Sequence, residues 1–227
     1  MLREIIEFFL PPLCMTCDNL KDGEFFCKDC LTEILRSRIF PPFCKKCGRN
    51  LKKHKCSVKL NYIDEVFAIF NYTEKVRDLI ENYKFKRYTN LANFFAPFVL
   101  EHLEKIVPEF DIITFVPLHP SRERERGFNQ NEIILDKLSK QIKTKYKKDI
   151  LIRIKPTKSQ AKIEVLEKRR KNVENAFRVL LSEEIKDKRI LILDDVFTTG
   201  STIEECAKVL KQKGASKVYA LCIATSS

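Results

Sequence analysis

Glycine is the scarce residue. The chain of 227 residues carries five glycines, where ordinary usage would place about 16. Each of Gly23, Gly48, Gly127, Gly200 and Gly214 is therefore a candidate for a place where the backbone needs one, Gly23 least so, as a plain turn between cysteine pairs. Neither glycine-based nucleotide fingerprint, GxGxxG or GxxxxGK[ST], occurs. Long apolar runs are missing too. None approaches the roughly 18 residues of a spanning helix. The opening segment, Met1 to Leu10, is too short and too acidic for a signal peptide and reads as an amphipathic helix ended by Pro11 and Pro12. No Pro/Gly/Ser linker and no repeat of about 20–50 residues is visible. The expectation is a cytoplasmic protein without a membrane span. Its hydrophobic content of 44% supports a real core.

What is present is uneven. Seven of nine cysteines fall before residue 57, which places a domain boundary near Asn61: a cysteine-rich part over 1–60 and a larger part over 61–227. Of the net charge of +12, residues 137–171 carry 14 basic and 3 acidic groups, a balance of +11. Such a stretch suits phosphates or nucleic acid, or is the solvated face of a lysine-rich protein.

After the boundary, strands and helices alternate. Residues 65–72 (EVFAIFNY), 111–116 (DIITFV), 149–153 (DILIR), 189–193 (RILIL) and 217–224 (KVYALCIA) read as strands. Residues 74–85, 91–106, 130–143, 164–173 and 202–212 have helical spacing, with Pro97 expected to kink the second and Gly214 to follow the last. Alternation of this kind means an α/β domain with a parallel sheet.

The most informative stretch is residues 189–202, RILILDDVFTTGST. A buried strand ends in two adjacent acids, and a hydroxyl-rich turn leads into a helix. Backbone N–H groups at such a turn, the helix dipole and the hydroxyls of Thr198, Thr199, Ser201 and Thr202 make a phosphate cradle, with Gly200 allowing close approach. Asp194 and Asp195 stand where open α/β sheets bind ligands. Two acids there are costly unless they bind hydroxyls or sit near a metal ion; a sugar phosphate fits. The stretch resembles the phosphoribosyl pyrophosphate (PRPP) motif of type I phosphoribosyltransferases. That resemblance implies a type I phosphoribosyltransferase-like parallel sheet flanked by helices, PRPP held by Asp194, Asp195, Val196, Thr198, Thr199, Gly200, Ser201 and Thr202, and Mg²⁺ carried mainly by ligand oxygens. Purine-salvage members place an acid where this chain has Thr198. The likeness is therefore closer to the orotate and amido branches.

A second signature follows residues 111–116: Val116-Pro117-Leu118-His119-Pro120, then Arg122, Arg124 and Arg126, then Gly127-Phe128-Asn129-Gln130. Three arginines at spacing two in a loop suit a polyanion such as pyrophosphate, or form a solvated linker. VPLHP…RGFNQ, Tyr83-Lys84-Phe85, Thr157-x-x-Gln160 and Arg169-x-x-Asn172-Val173-x-x-Ala176-Phe177 resemble the ComF family. By that likeness Lys84, Pro117, Leu118, His119, Arg124 and Arg126 border pyrophosphate.

The cysteines form CxxC knuckles at Cys14/Cys17, Cys27/Cys30 and Cys44/Cys47, followed by Cys56. Two knuckles complete a tetrahedral zinc site, and Cys14, Cys17, Cys27 and Cys30 make a full set; a redox dithiol is the other reading. The second set is one cysteine short. His54 is its candidate fourth ligand, or else a surface residue. ComF-like heads resemble a double zinc ribbon, which implies a small N-terminal zinc-binding domain. The resemblance also implies natural competence, with single-stranded DNA, a helicase-like protein and a recombination mediator as partners. The alternative is an active phosphoribosyltransferase with an unidentified small acceptor; no general base or acceptor pocket is legible.

Overall fold

The structure is a computed structural model and describes residues 12–156, 171 and 173–226. The expected helices at residues 1–10 and 164–173 fall wholly or mostly outside the described residues, as do Thr157 to Gln160 and Arg169, Arg170 and Asn172. The described elements run α1 (Lys28–Arg36), β1 (Glu65–Asn71), α2 (Glu74–Phe85), α3 (Ala92–Lys105), β2 (Ile112–Phe115), α4 (Pro120–Arg126), α5 (Gln130–Leu138), β3 (Lys145–Tyr146), β4 (Leu151–Arg153), β5 (Phe177–Val179), α6 (Ser182–Ile185), β6 (Arg189–Phe197), α7 (Ser201–Gln212) and β7 (Lys217–Thr225).

Five strands form a sheet in the order β1-β7-β6-β2-β3, every pair parallel. The strand sequences dictate this. β6 and β7 are apolar on successive residues, and a strand buried on both faces reads that way. Alternate side chains enter two separate cores. Leu191, Leu193, Leu221 and Ile223 meet α2, α3 and α5 on one face, whereas Ile190, Ile192, Val218 and Ala220 meet α7 and β4–β5 on the other. The faces of α2 follow from Val76, Leu79, Ile80 and Tyr83 at helical spacing, and Thr73 caps its first turn.

The cysteine-rich head is docked on the exposed edge of β1. The Ile39 N–H donates to the Ile69 carbonyl at 2.8 Å, the Val66 N–H to the Lys45 carbonyl at 2.8 Å, and the Asn71 N–H to the Ser37 carbonyl at 2.8 Å. An edge that would otherwise template aggregation is thereby covered. The two cysteine sets straddle the sheet: Cys14, Cys27 and Cys30 join one core, Cys44 and Cys47 the other. Gly48 makes the close approach possible. Its φ is +75°, and a Cβ there would sit 2.7 Å from the Ala68 nitrogen.

Four expectations need correction. Residues 149–153 supply a strand, β4, that leaves the parallel sheet and pairs antiparallel with β5. The arginine-rich segment is the helix α4 rather than a loop. His119 caps it, Pro120 begins it and Gly127 ends it at φ +88°. The helix expected over 130–143 stops at Leu138, where the Ser139 hydroxyl donates back to the Asp136 carbonyl at 2.7 Å. α3 continues through Pro97 as one element; Pro97 and Asn93 are both exposed, so water can satisfy the carbonyl that loses its partner.

Gly48→Ala should cost about 3 kcal/mol or more, through backbone strain plus the clash with β1. Gly127→Ala meets nothing within 4 Å and should cost only about 1 kcal/mol. Urea unfolding of the two variants checks this; equal losses would contradict the docking of the head on β1.

Candidate functional site

β6 extends past its apolar run, so Asp194 and Asp195 lie inside the strand at its carboxyl end. Adjacent strand residues point to opposite faces, and the two acids meet different surroundings. Asp195 faces α2 and α5. Lys84 Nζ lies 2.7 Å from its Oδ2, and Gln130 Nε2 donates to the same oxygen. Gln130 is in turn held by Arg126 Nη1, which donates to its Oε1 at 2.5 Å. The Tyr83 hydroxyl donates to its carbonyl at 2.8 Å. Asp194 is 9% exposed. Its Oδ1 accepts the Asp195 N–H at 2.9 Å and Asn131 Nδ2 at 3.5 Å. Burial first, and the Asp195 charge second, push its pKa up to about 7.

These groups line a cleft of about 700 Å³ at the carboxyl ends of the strands, which falls within the usual size of small-molecule sites. Its floor is Asp194, Asp195 and Val196. One wall is α2, with Lys84 and Phe85, and another is the β2–α4 turn, with Leu118 and His119, continued by Arg122 and Arg126 of α4. Arg153 and Pro156 close it from the β4 side. Adjoining it, Thr198, Gly200, Ser201 and Thr202 line a small niche with Asp194 and Val196 at the start of α7, and Thr198 and Thr202 line the cleft as well. Gly200 has φ +76°, and a Cβ there would meet the Phe197 ring at 2.8 Å and Leu60 at 3.0 Å. The loop therefore needs this glycine for its own packing, whatever an anion requires.

Not every expected residue converges. Thr199 turns away and lines a second cleft with the linker residues Lys59 to Tyr62, although its hydroxyl lies 2.7 Å from that of Ser201. Pro117 is buried in the turn and does not line the cleft. Arg124 also stands outside. On a helix Arg122 and Arg126 share a face, whereas a residue midway between them points elsewhere. His119 lines the cleft while its Nδ1 accepts the Ser121 N–H at 3.2 Å, a helix cap. Within the basic stretch, Lys145 and Lys147 pair with Glu184 at 3.0 and 2.9 Å. Lys148 pairs with Glu132 and Asp136 at 2.9 and 2.8 Å. The residues that sequence reasoning missed are Gln130, Asn131, Arg153 and Glu204. Glu204 accepts the N–H groups of Asn61 at 2.6 Å and Tyr62 at 3.1 Å, which fastens residues 61 and 62 to the first turn of α7.

Two donor clusters lie in the head. The ligand atoms of Cys14, Cys17, Cys27 and Cys30 are all within 4.8 Å of one another, as are those of Cys44, Cys47, His54 and Cys56. His54 Nε2 is 3.0 Å from Cys47 Sγ, and its Nδ1 faces the Asn50 carbonyl at 3.3 Å. That arrangement leaves Nε2 to the cluster and suits a ring oriented by a backbone carbonyl. Burial opposes ionisation of Cys14, but the N–H groups of Cys27, Cys17 and Thr16 outweigh it and bring its pKa to about 6. Burial and the neighbouring thiols push Cys30 up. Soft donors in tetrahedral number fit zinc.

Residues 5–61 match the double zinc ribbon domain, and residues 126–226 match the phosphoribosyl transferase domain. With the parallel sheet, these define a phosphoribosyltransferase-fold protein that carries an N-terminal double zinc ribbon. The chain is 30% identical over 208 residues to competence protein ComFC of Streptococcus pneumoniae, covering 91% of this chain and 84% of that one. It is 28% identical over 210 residues to competence protein F of Haemophilus influenzae, covering 85% and 86%. It is 28% identical over 219 residues to the DNA utilization protein YhgH of Escherichia coli, covering 93% and 89%. The chain belongs to the ComF family. Among the described residues no helix is long and apolar enough to cross a membrane.

The raised pKa of Asp194 has a sign that can be checked. The folded state keeps the proton between the ordinary value of 3.8 and about 7. This carboxyl therefore stabilises the fold least at high pH, and that stability is lost as pH rises through the window. Asp194→Asn should leave stability nearly unchanged at about pH 4 and raise it by roughly 1–4 kcal/mol at about pH 8. Urea unfolding at the two pH values reads the difference; an equal effect at both would contradict the buried, protonated Asp194.

Proposed function

We propose that the cleft binds PRPP or a related ribose phosphate and that the protein serves natural competence, in the handling of single-stranded DNA. One observation carries the ligand reading: two acids lie near the carboxyl end of a buried parallel strand, and the first of them lines a niche with the hydroxyls at a helix N-terminus. The niche takes the 5′-phosphate on the loop N–H groups and the hydroxyls of Thr198, Ser201 and Thr202. Asp194 and Asp195 take the ribose hydroxyls. Lys84, His119 and Arg126 border the side on which pyrophosphate lies, and Lys84 exchanges Asp195 for the incoming anion. A type I phosphoribosyltransferase takes Mg²⁺ with its ligand. The cleft suits that arrangement: among the described residues the clusters of three or more metal-ligating side chains are the two in the head, and Lys84 and Gln130 already engage Asp195. A bound cation would offset the pyrophosphate charge, and Asp194 and Asp195 would orient the ribose oxygens beside it. Names of relatives, among them competence protein and DNA utilization protein, support the biological role.

In the head, Cys14, Cys17, Cys27 and Cys30 hold one structural zinc, and Cys44, Cys47, Cys56 and His54 a second. Metal analysis should find about two zinc ions per chain, one for each donor cluster. His54→Ala should weaken only the second, so that a mild chelator removes about half the zinc far faster than from the wild type. Loss of neither ion, or of both together, would contradict the assignment of His54.

Calorimetric titration with PRPP and Mg²⁺ should show saturable binding, and Asp194→Ala/Asp195→Ala should abolish it. A wild type that shows no heat of binding would overturn the ligand reading.

A further inference from the structure

The last residue of α2 is an aromatic at the mouth of the cleft. Phe85 is 61% exposed, so it contributes little to the core beside it. The guanidinium carbon of Arg126 stands 5.5 Å from the centre of its ring, and Gln130 fixes the same guanidinium. The arginine and the ring are therefore held together before any ligand arrives. The chain continues as Lys86-Arg87-Tyr88, and Arg87 Nη2 donates to the Glu125 carbonyl at 3.0 Å, joining this segment to α4. Residues 84–88 and 120–127 together hold six Lys and Arg against two Glu, and Arg122 already engages Glu125 at 3.1 Å. Lys86, Arg87 and Arg124 are exposed, and none forms an ion pair with a described residue.

Resting on the reading of the chain as a protein of single-stranded DNA handling, we propose that Phe85 with Arg126 is a stacking platform for an unpaired base, and that Lys86, Arg87 and Arg124 hold the flanking phosphates. Interleaved aromatic and cationic side chains are what single strands require. The ring takes any base on its face, and the cations follow the backbone. A duplex offers no unstacked base and gains only the charge contacts. Within the basic stretch, Lys145, Lys147 and Lys148 are less suited, because Glu184, Glu132 and Asp136 neutralise them. Their engagement of phosphates would have to break those pairs.

Fluorescence anisotropy with a labelled oligothymidylate of about 16 nucleotides tests this. Phe85→Ala should weaken binding roughly 5- to 100-fold, and Phe85→Trp should restore it. Lys86→Gln/Arg87→Gln/Arg124→Gln should reduce the slope of log affinity against log salt by about 2, at roughly 0.7 for each phosphate that no longer meets a cation. Phe85, Lys86 and Arg124 are exposed and should leave the unfolding midpoint close to the wild type, whereas Arg87→Gln loses one hydrogen bond and should lower the midpoint slightly. If the wild type binds and these variants bind equally well, the placement is wrong while the DNA reading stands. If reversal of Lys137, Lys140 and Lys143 removes binding instead, the DNA lies on the basic stretch and the platform is wrong. If the wild type does not bind the oligonucleotide, both the surface and the DNA reading fail.

Discussion

Two carboxylates sit side by side at the end of a strand that is otherwise buried in apolar side chains. The surrounding structure is arranged around that constraint. An uncompensated pair of buried charges would cost several kcal/mol. The cost is divided because adjacent strand residues face opposite ways. Asp195 is charge-compensated by Lys84 and hydrogen-bonded by Gln130. Asp194 instead holds its proton up to about pH 7, because burial and the Asp195 charge outweigh the Asp195 N–H that favours its ionised form. The helices α2 and α5 owe their positions partly to this demand, since each delivers a polar group to the same carboxylate. On the proposed reading, ribose hydroxyls donate to these carboxylates in place of Lys84, which is released to a phosphate.

The head is more than an appendage. Its backbone covers the open edge of β1, and its two cysteine clusters contribute to the two cores on opposite faces of the sheet. From there the linker runs to α7, where Glu204 gathers the N–H groups of Asn61 and Tyr62 and where Leu60 lies against the Gly200 turn. The turn that forms the niche is thus buttressed by the chain segment that leaves the second cluster. Packing of the head and shape of the Gly200 turn depend on the same few residues, so order in one supports order in the other.

Much of this was legible in the sequence because it rests on local rules. The strand β6, its two acids and the turn into α7 follow from a buried apolar run ending in polar residues and a left-handed glycine. The four-cysteine cluster follows from spacing. The helix α4 was not legible as a helix because Pro120–Arg126 has no apolar stripe; periodicity is silent when a helix buries nothing. Its termini did carry a signal, proline first and glycine after. β3 and β4 escaped, or were put in the wrong sheet, because two or three residues hold no periodicity. Gln130, Asn131 and Glu204 were missed for a different reason. They are ordinary polar residues whose importance arises from partners 63 to 143 positions away. His54 stood as one option among two until the chain brought its Nε2 to the three sulfurs.

The account turns on the claim that the end of β6 and the turn before α7 form one ribose phosphate site. A crystal structure of the full chain grown with PRPP and Mg²⁺ tests it most directly. The account predicts the 5′-phosphate in the niche of Thr198, Gly200, Ser201 and Thr202, the ribose hydroxyls on Asp194 and Asp195, and Lys84 moved from Asp195 to the pyrophosphate. A ligand bound elsewhere, or a niche left empty beside an intact Lys84–Asp195 pair at saturating PRPP, would contradict it.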